Sequence, residues 1–315
     1  MRATQRVAIG LCTAHRPEML RCCLAALASQ IVPEALDLTI IVADNEPEPN
    51  NQHLVSEFAA SCSFPVRYVH EPRRGISRAR NAVLDACEDR FDWIAFTDDD
   101  CVPASDWIGA LLEAAARHEA DLVYGRREWT PPRRPPFWFV PEKPTRRAEG
   151  QRLQVAATHN VLMAGELAGL RFRERHAGLR FDERLAHGED TDFFWRATTR
   201  FGARIVYSAA PVVYETVPAH PATMRYQMMR RFHRDASRYC FERRYRMLAA
   251  QRSNVQGASC GTSRSASAYW SQHPCCHRSV SIGSRGSWSP TRAGSSARLA
   301  LWRGSPATAA TPTAR

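Results

Sequence analysis

The chain predicts an α/β fold, a mainly parallel sheet with helices on both faces. Strand and helix patterns alternate through the first 125 residues, as βαβ units require. Several apolar runs stop at a polar or acidic residue, most plainly at Asp98-Asp99-Asp100. In open parallel sheets, ligands bind beyond the carboxyl ends of the strands.

Residues 7–13 read as a strand and 17–30 as a helix, with Pro17 near its first turn. A second strand, 38–43, ends at Asp44-Asn45. A helix over 51–61 and a short strand over 66–69 follow. Residues 77–87 form a helix that Ser77 can cap. The apolar run 93–97 is a short buried strand, 106–118 a helix and 122–124 a strand. Thr13, Asp44 and the acidic triplet thus stand at strand ends that converge on one polar mouth.

The pattern breaks at Thr130. The proline-rich stretch 131–139, with Trp138 among its aromatics, predicts a long loop of the kind that serves as a lid or binding segment. Order returns over 158–163, and 190–201 is a helix ended by Gly202. Short strands are expected at 205–207 and 212–214, then an Arg- and Met-rich helix or helix pair over 221–250. The formal net charge of +11 is concentrated at the end: residues 251–315 hold eight arginines and no Asp, Glu or Lys, which leaves +3 for the rest. That tail has the composition of a disordered segment, and a frame-shifted tail would look the same. The basic pI therefore does not indicate a nucleic-acid groove, and the tail lacks an aromatic stacking pattern.

No stretch approaches the roughly 18–20 apolar residues of a membrane span. The start of the chain runs into a strand with no charged and apolar leader ahead of it, so no signal peptide is expected. Ten scattered cysteines without CxxC pairs predict free thiols in a cytoplasmic protein.

Three adjacent carboxylates repel one another and need positive charge to stay ionised. Mg²⁺ or Mn²⁺ suits such oxygen ligands and commonly shares them with a substrate phosphate; an acidic surface turn is the plain alternative. Arg74 and Arg78 flank a helix start at Gly75-Ile76-Ser77, where free N–H groups and the dipole favour a diphosphate. Arg80 reads as part of a solvated basic face. Glu189-Asp190 opens a helix, where acids are stabilised by the dipole with or without a catalytic role.

In chain order stand Thr13-Ala14-His15-Arg16-Pro17, Val42-Ala43-Asp44-Asn45, Gly75-Ile76-Ser77-Arg78-Ala79-Arg80-Asn81, Asp98-Asp99-Asp100 and Gly188-Glu189-Asp190-Thr191-Asp192. The series resembles the family-2 glycosyltransferases of the GT-A fold, over roughly residues 5–245. The resemblance implies a Rossmann-like nucleotide half, about 1–125, an acceptor half, about 126–220, and the Arg-rich segment 221–250 in one domain, followed by the tail 251–315. It implies inverting transfer of a sugar from a nucleotide diphosphate sugar to the hydroxyl of a sugar, lipid-linked or small-molecule acceptor. On it, Asp98 and Asp100 are the metal-binding pair, with Asp98 also near the ribose and Asp99 the least constrained of the three. Thr13, Arg16, Asp44, Arg74 and Arg78 join them around the donor nucleotide. Asp190, with Glu189 beside it, is the base that takes the acceptor proton, and Asn160 and Trp138 lie near the sugar or acceptor. His159 reads as a hydrogen-bonded structural residue.

Gln227-Met228-Met229-Arg230-Arg231 partly matches the QxxRW element of processive synthases, but position 231 is Arg, which speaks against polymer synthesis. Met, Phe and Tyr alternating with Arg here also suit the anionic inner face of a membrane. The rival readings are a nucleotide-sugar-binding protein without catalysis and a nucleotidyltransferase. The second is weakened because 13–17 lacks a glycine-rich phosphate loop.

Overall fold

The computed structural model describes residues 4–33, 35–87, 90–130, 147–168, 178–216 and scattered positions between 224 and 245. The elements in chain order are β1 (Gln5–Thr13), α1 (Pro17–Ala28), β2 (Leu36–Asp44), α2 (Gln52–Ser61), β3 (Val66–His70), α3 (Ile76–Cys87), β4 (Trp93–Asp98), β5 (Cys101–Pro103), α4 (Trp107–His118), β6 (Leu122–Thr130), β7 (Arg152–Leu153), β8 (Asn160–Ala164), α5 (Gly165–Ala168), α6 (Glu189–Arg200) and β9 (Ile205–Thr216). They form one sheet in the order β3-β2-β1-β4-β8-β6-β9-β5, with β7 pairing β9. β3, β2, β1 and β4 are parallel, and β6 is parallel to β9. β8 runs antiparallel between β4 and β6.

Both faces of the central strands are covered, which is why their apolar runs are continuous. On one face, Val7, Ile9, Leu11, Leu38, Ile40 and Val42 pack with Leu20, Leu24, Leu27, Trp107 and Leu111 from α1 and α4. On the other, Ala8, Cys12, Ile41 and Ala43 pack with Val83, Leu84, Phe193 and Phe194 from α3 and α6. α1 buries Leu20, Cys23, Leu24 and Leu27, the stripe of one helical face. Gly10 lets α3 sit against β1, since a Cβ there would lie 2.5 Å from Val83 Cγ1.

Some boundaries differ from expectation. β9 is one strand rather than two, with a register shift against β6 between Tyr124 and Arg126. The short β5 has no alternation to betray it, yet it pairs antiparallel with β9 and sets Cys101 opposite Glu215. Ser77 lies inside α3 instead of capping it, and its hydroxyl donates to the Asp182 carbonyl at 3.3 Å. Among the described residues no helix is long and apolar enough to cross a membrane. The described positions of the Arg- and Met-rich segment are helical. They leave Met224, Met228, Met229, Phe232 and Tyr239 exposed. Phe241 and Tyr245 instead pack on Trp195 of α6. The proline-rich stretch with Trp138 and the tail 251–315 lie outside the described residues.

Candidate active site

Parallel strands place their carboxyl ends on one edge of the sheet, and there the chain assembles a cleft. Thr13, His15, Arg16, Asn45, Arg74 and Asp99 are among its lining residues. The Thr13 hydroxyl donates to Asp99 Oδ2 at 2.9 Å, and Arg16 Nη1 donates to Asp99 Oδ1 at 3.2 Å and to Asp100 Oδ2 at 3.1 Å. The β1–α1 loop is held in shape by Glu46, which accepts the His15 N–H at 2.8 Å and lies 3.1 Å from its ring Nδ1. His15 has φ 56°, a left-handed backbone uncommon for a residue with a side chain. Of the expected donor residues, Thr13, Arg16, Arg74 and Asp99 thus line the cleft, and Asp100 joins them through Arg16.

Asp98 ends β4, and Asp99 and Asp100 make the turn into β5. Burial pushes all three carboxyls upward, and at Asp100 repulsion from Asp98 and from Glu215 adds to it, reaching about 7. Arg16, Arg80 and Arg127 pair with members of this group, Arg127 through Glu215 at 2.6 Å. Repulsion and burial still prevail over them at Asp98 and Asp100. One more positive charge would relieve that strain, and Asp98 and Asp100 carry the carboxylate oxygens that could hold it. No group of three or more His, Cys, Asp or Glu among the described residues forms a ready-made metal cage. Two carboxylates completed by substrate phosphates fit Mg²⁺ or Mn²⁺ better than an all-protein site.

The second acidic pair opens α6. Gly188, with φ 75°, turns the chain into the helix. Asp190 Oδ1 accepts the Thr191 N–H at 2.6 Å. Burial and then the Glu189 charge raise the Asp190 carboxyl to about 6, while Arg80 works in the other direction. Arg80 departs furthest from expectation. It is not on a solvated face but buried, with Nη1 donating to Glu189 Oε1 at 2.7 Å and Nη2 3.6 Å from Asp98 Oδ1. A signal was available: Arg80 falls on the stripe of Val83, Leu84 and Cys87, the buried face of α3. Glu215 had no comparable signal, because only the β5–β9 pairing brings it to the triplet.

Three expected site residues have partners within the protein. Asp44 is fully enclosed, and its carboxylate accepts the Asn51 N–H and Nδ2–H, both at 3.0 Å, and the Tyr68 hydroxyl at 2.8 Å. Neighbouring residues at a strand end point to opposite sides, so Asn45 faces the cleft while Asp44 anchors α2. Asn160, expected near the sugar, is also fully buried: it accepts from Trp107 Nε1 at 2.8 Å and donates to the carbonyls of Arg126 and Pro211. It ties α4, β6 and β9 together. Arg78, expected at the diphosphate, pairs with Glu183 at 3.2 Å. His159 meets the Tyr124 hydroxyl at 3.0 Å, in keeping with a structural role.

Residues 8–174 match the model of "Glycosyl transferase family 2". "Succinoglycan biosynthesis protein ExoM" of Rhizobium meliloti is 36% identical over 238 residues, 73% of this chain and 72% of that protein. "Glycosyltransferase AglE" of Haloferax volcanii is 25% identical over 118 residues, 38% of either chain. The fold is similar to that of S. aureus TarS 1-349 in complex with UDP, at TM-score 0.53 and 17% identity, over 68% of this chain and 61% of that one. It is similar also to the mannosyltransferase PcManGT from Pyrobaculum calidifontis in complex with GDP-Man and Mn2+, at TM-score 0.51 and 17% identity, over 69% and 59%. An α/β sheet of this order, the family match across half the chain and a relative at this identity agree: the chain belongs to glycosyl transferase family 2 and is a glycosyltransferase of the GT-A fold.

Proposed function

We propose that the enzyme transfers a sugar, with inversion, from a nucleotide diphosphate sugar to an acceptor hydroxyl in the assembly of a surface polysaccharide. The observation that carries this reading is the pair of acidic clusters, Asp98–Asp100 and Glu189-Asp190, both in contact with one buried arginine. Thr13, Arg16 and Arg74 line the donor cleft, and the start of α3 at Ile76 adds free N–H groups suited to phosphate. Asp98 and Asp100 would hold a divalent cation, which when bound offsets the charge of the departing nucleoside diphosphate. Asp190 takes the proton of the attacking hydroxyl. A carboxyl near 6 is ionised at neutral pH yet basic enough for that task, which favours a catalyst over a protein that only binds nucleotide sugars.

The similarity to a succinoglycan biosynthesis protein supports a polysaccharide acceptor, sugar or lipid-linked. The exposed Met224, Met228, Met229, Phe232 and Tyr239, in a stretch rich in arginine, support peripheral seating on the anionic cytoplasmic face of a membrane. The test is release of nucleoside diphosphate from UDP-glucose, UDP-GlcNAc and GDP-mannose, with Mn²⁺ and a lipid extract as acceptor source. Turnover of one donor that stops with EDTA is expected. Donor binding without release of nucleoside diphosphate, with any acceptor, would overturn transfer in favour of binding alone.

A further inference from the structure

α3 carries side chains that the donor cleft does not use. Ser77, Arg78, Arg80 and Asn81 all reach the segment that leads into α6. Asn81 Nδ2 donates to the Phe181 carbonyl at 3.0 Å, and its Oδ1 accepts the Phe181 N–H at 2.8 Å. The amide thereby acts as a strand edge that fixes the height of the segment. Arg80, the residue before it in α3, is 7% exposed at its side chain. It bonds Glu189 at 2.7 Å on one nitrogen and faces Asp98 at 3.6 Å with the other. The ring of Phe181 lies 5.5 Å from the guanidinium carbon, and that ring stacks on Phe193 of α6 at 4.1 Å.

A guanidinium is expensive to bury unless its charge is answered. Here the two answering carboxylates come from different machinery: one ends the strand of the donor turn, the other opens the helix of the base. We infer that Arg80 is a positioning residue for sugar transfer, its single guanidinium tying Glu189 to Asp98 and so fixing where Asp190 stands relative to the donor. This inference rests on the roles proposed above for Asp98 and Asp190. The planar fork explains why an arginine occupies the position: it presents separate donors to two acceptors, whereas an ammonium is a point charge. Without it, Glu189 and Asp98 repel each other, and the first turn of α6 moves with Glu189. A displacement of about 1 Å at a reacting group is enough to cost on the order of 10² in rate.

The test compares Arg80→Met, Arg80→Lys, Glu189→Gln and the Arg80→Met/Glu189→Gln double variant in the full chain. Nucleoside diphosphate release is measured on the donor that wild type turns over, and UDP and GDP affinities by calorimetry. Arg80→Met should lower kcat by about 10²-fold while donor KM and nucleotide affinity stay within about fivefold. Arg80→Lys should remain well below wild type, because one ammonium cannot hold both partners; should Arg80→Met not fold, Arg80→Lys shows the same split. The double variant should turn over faster than Arg80→Met alone, since removing the Glu189 charge removes the repulsion that Arg80 restrains. A purely structural role would give no such recovery. Near-wild-type kcat in Arg80→Met, or equal losses in kcat and nucleotide affinity, would overturn the inference. Wild-type turnover in the same assay tests the transferase reading separately.

Discussion

β2 ends at Asp44 and β4 runs into the acidic turn that ends at Asp100, and these two aspartates could hardly be used more differently. Asp44 is enclosed and accepts three hydrogen bonds from Asn51 and Tyr68. Asp100 shares one arginine with Asp99 and faces the charges of Asp98 and Glu215. The first carboxylate is satisfied by the protein that surrounds it, so its contribution is to stability. The second is half-buried among like charges that the protein leaves only partly answered, a setting in which a cation is favoured and an anion is not. What separates them is whether the fold supplies the hydrogen-bond donors, not the position at a strand end.

The largest effect should come from the far side of the acidic mouth. Asp190→Asn removes the carboxylate proposed above to take the acceptor proton, and kcat should fall by on the order of 10²–10⁴ with donor affinity nearly unchanged. Wild-type turnover in that variant would shift attention to Glu189. In wild type, the same carboxyl near 6 predicts an acid limb: kcat declines as pH falls through about 6, where the base becomes protonated.

Next in size is Asp100→Asn, which should weaken donor binding in the presence of Mn²⁺ by roughly tenfold or more and leave it insensitive to EDTA. Calorimetry on both proteins decides it; wild-type affinity that ignores EDTA would erase the distinction between the two strand ends.

The converse substitution sharpens it. Asp44→Ala strands the buried Asn51 and Tyr68 donors and should lower unfolding free energy by about 1–3 kcal/mol in a urea titration. The fraction that remains folded should keep its donor affinity within about threefold. A specific collapse of donor binding at full stability would return Asp44 to the ligand.

The smallest effect is thermal. A carboxyl raised from 3.8 to about 7 in the folded chain, as at Asp100, contributes stability that is present below pH 3.8 and is lost as pH rises through about 7. Mg²⁺ offsets the repulsion that appears over that window. It should therefore raise Tm more at pH 8 than at pH 5 in differential scanning fluorimetry, and an equal shift at both would mean that the cation binds elsewhere.

The parallel half was legible because its signals are local. Apolar runs of strand length, Pro17 at a helix start and acidic residues where each run stops depend on neighbours in sequence, and parallel pairing then forces those stops onto one edge. The resemblance put Asn160 and Asp44 near the ligand, and period-two alternation does not say which of two adjacent polar residues is enclosed by the protein. The partners of Arg78 and Arg80 were hidden for another reason. Their partners, Glu183 and Glu189, lie more than a hundred residues further along the chain.

By itself, then, the amino-acid sequence determined the α/β class, through its periodicity, and the family, through the resemblance of its ordered motifs. The tertiary structure alone decided which carboxylates are satisfied and which stay under repulsion, and that one arginine of α3 touches both ends of the site. Those outcomes depend on distances of a few ångströms between elements far apart in the chain, where electrostatic energies and desolvation change steeply.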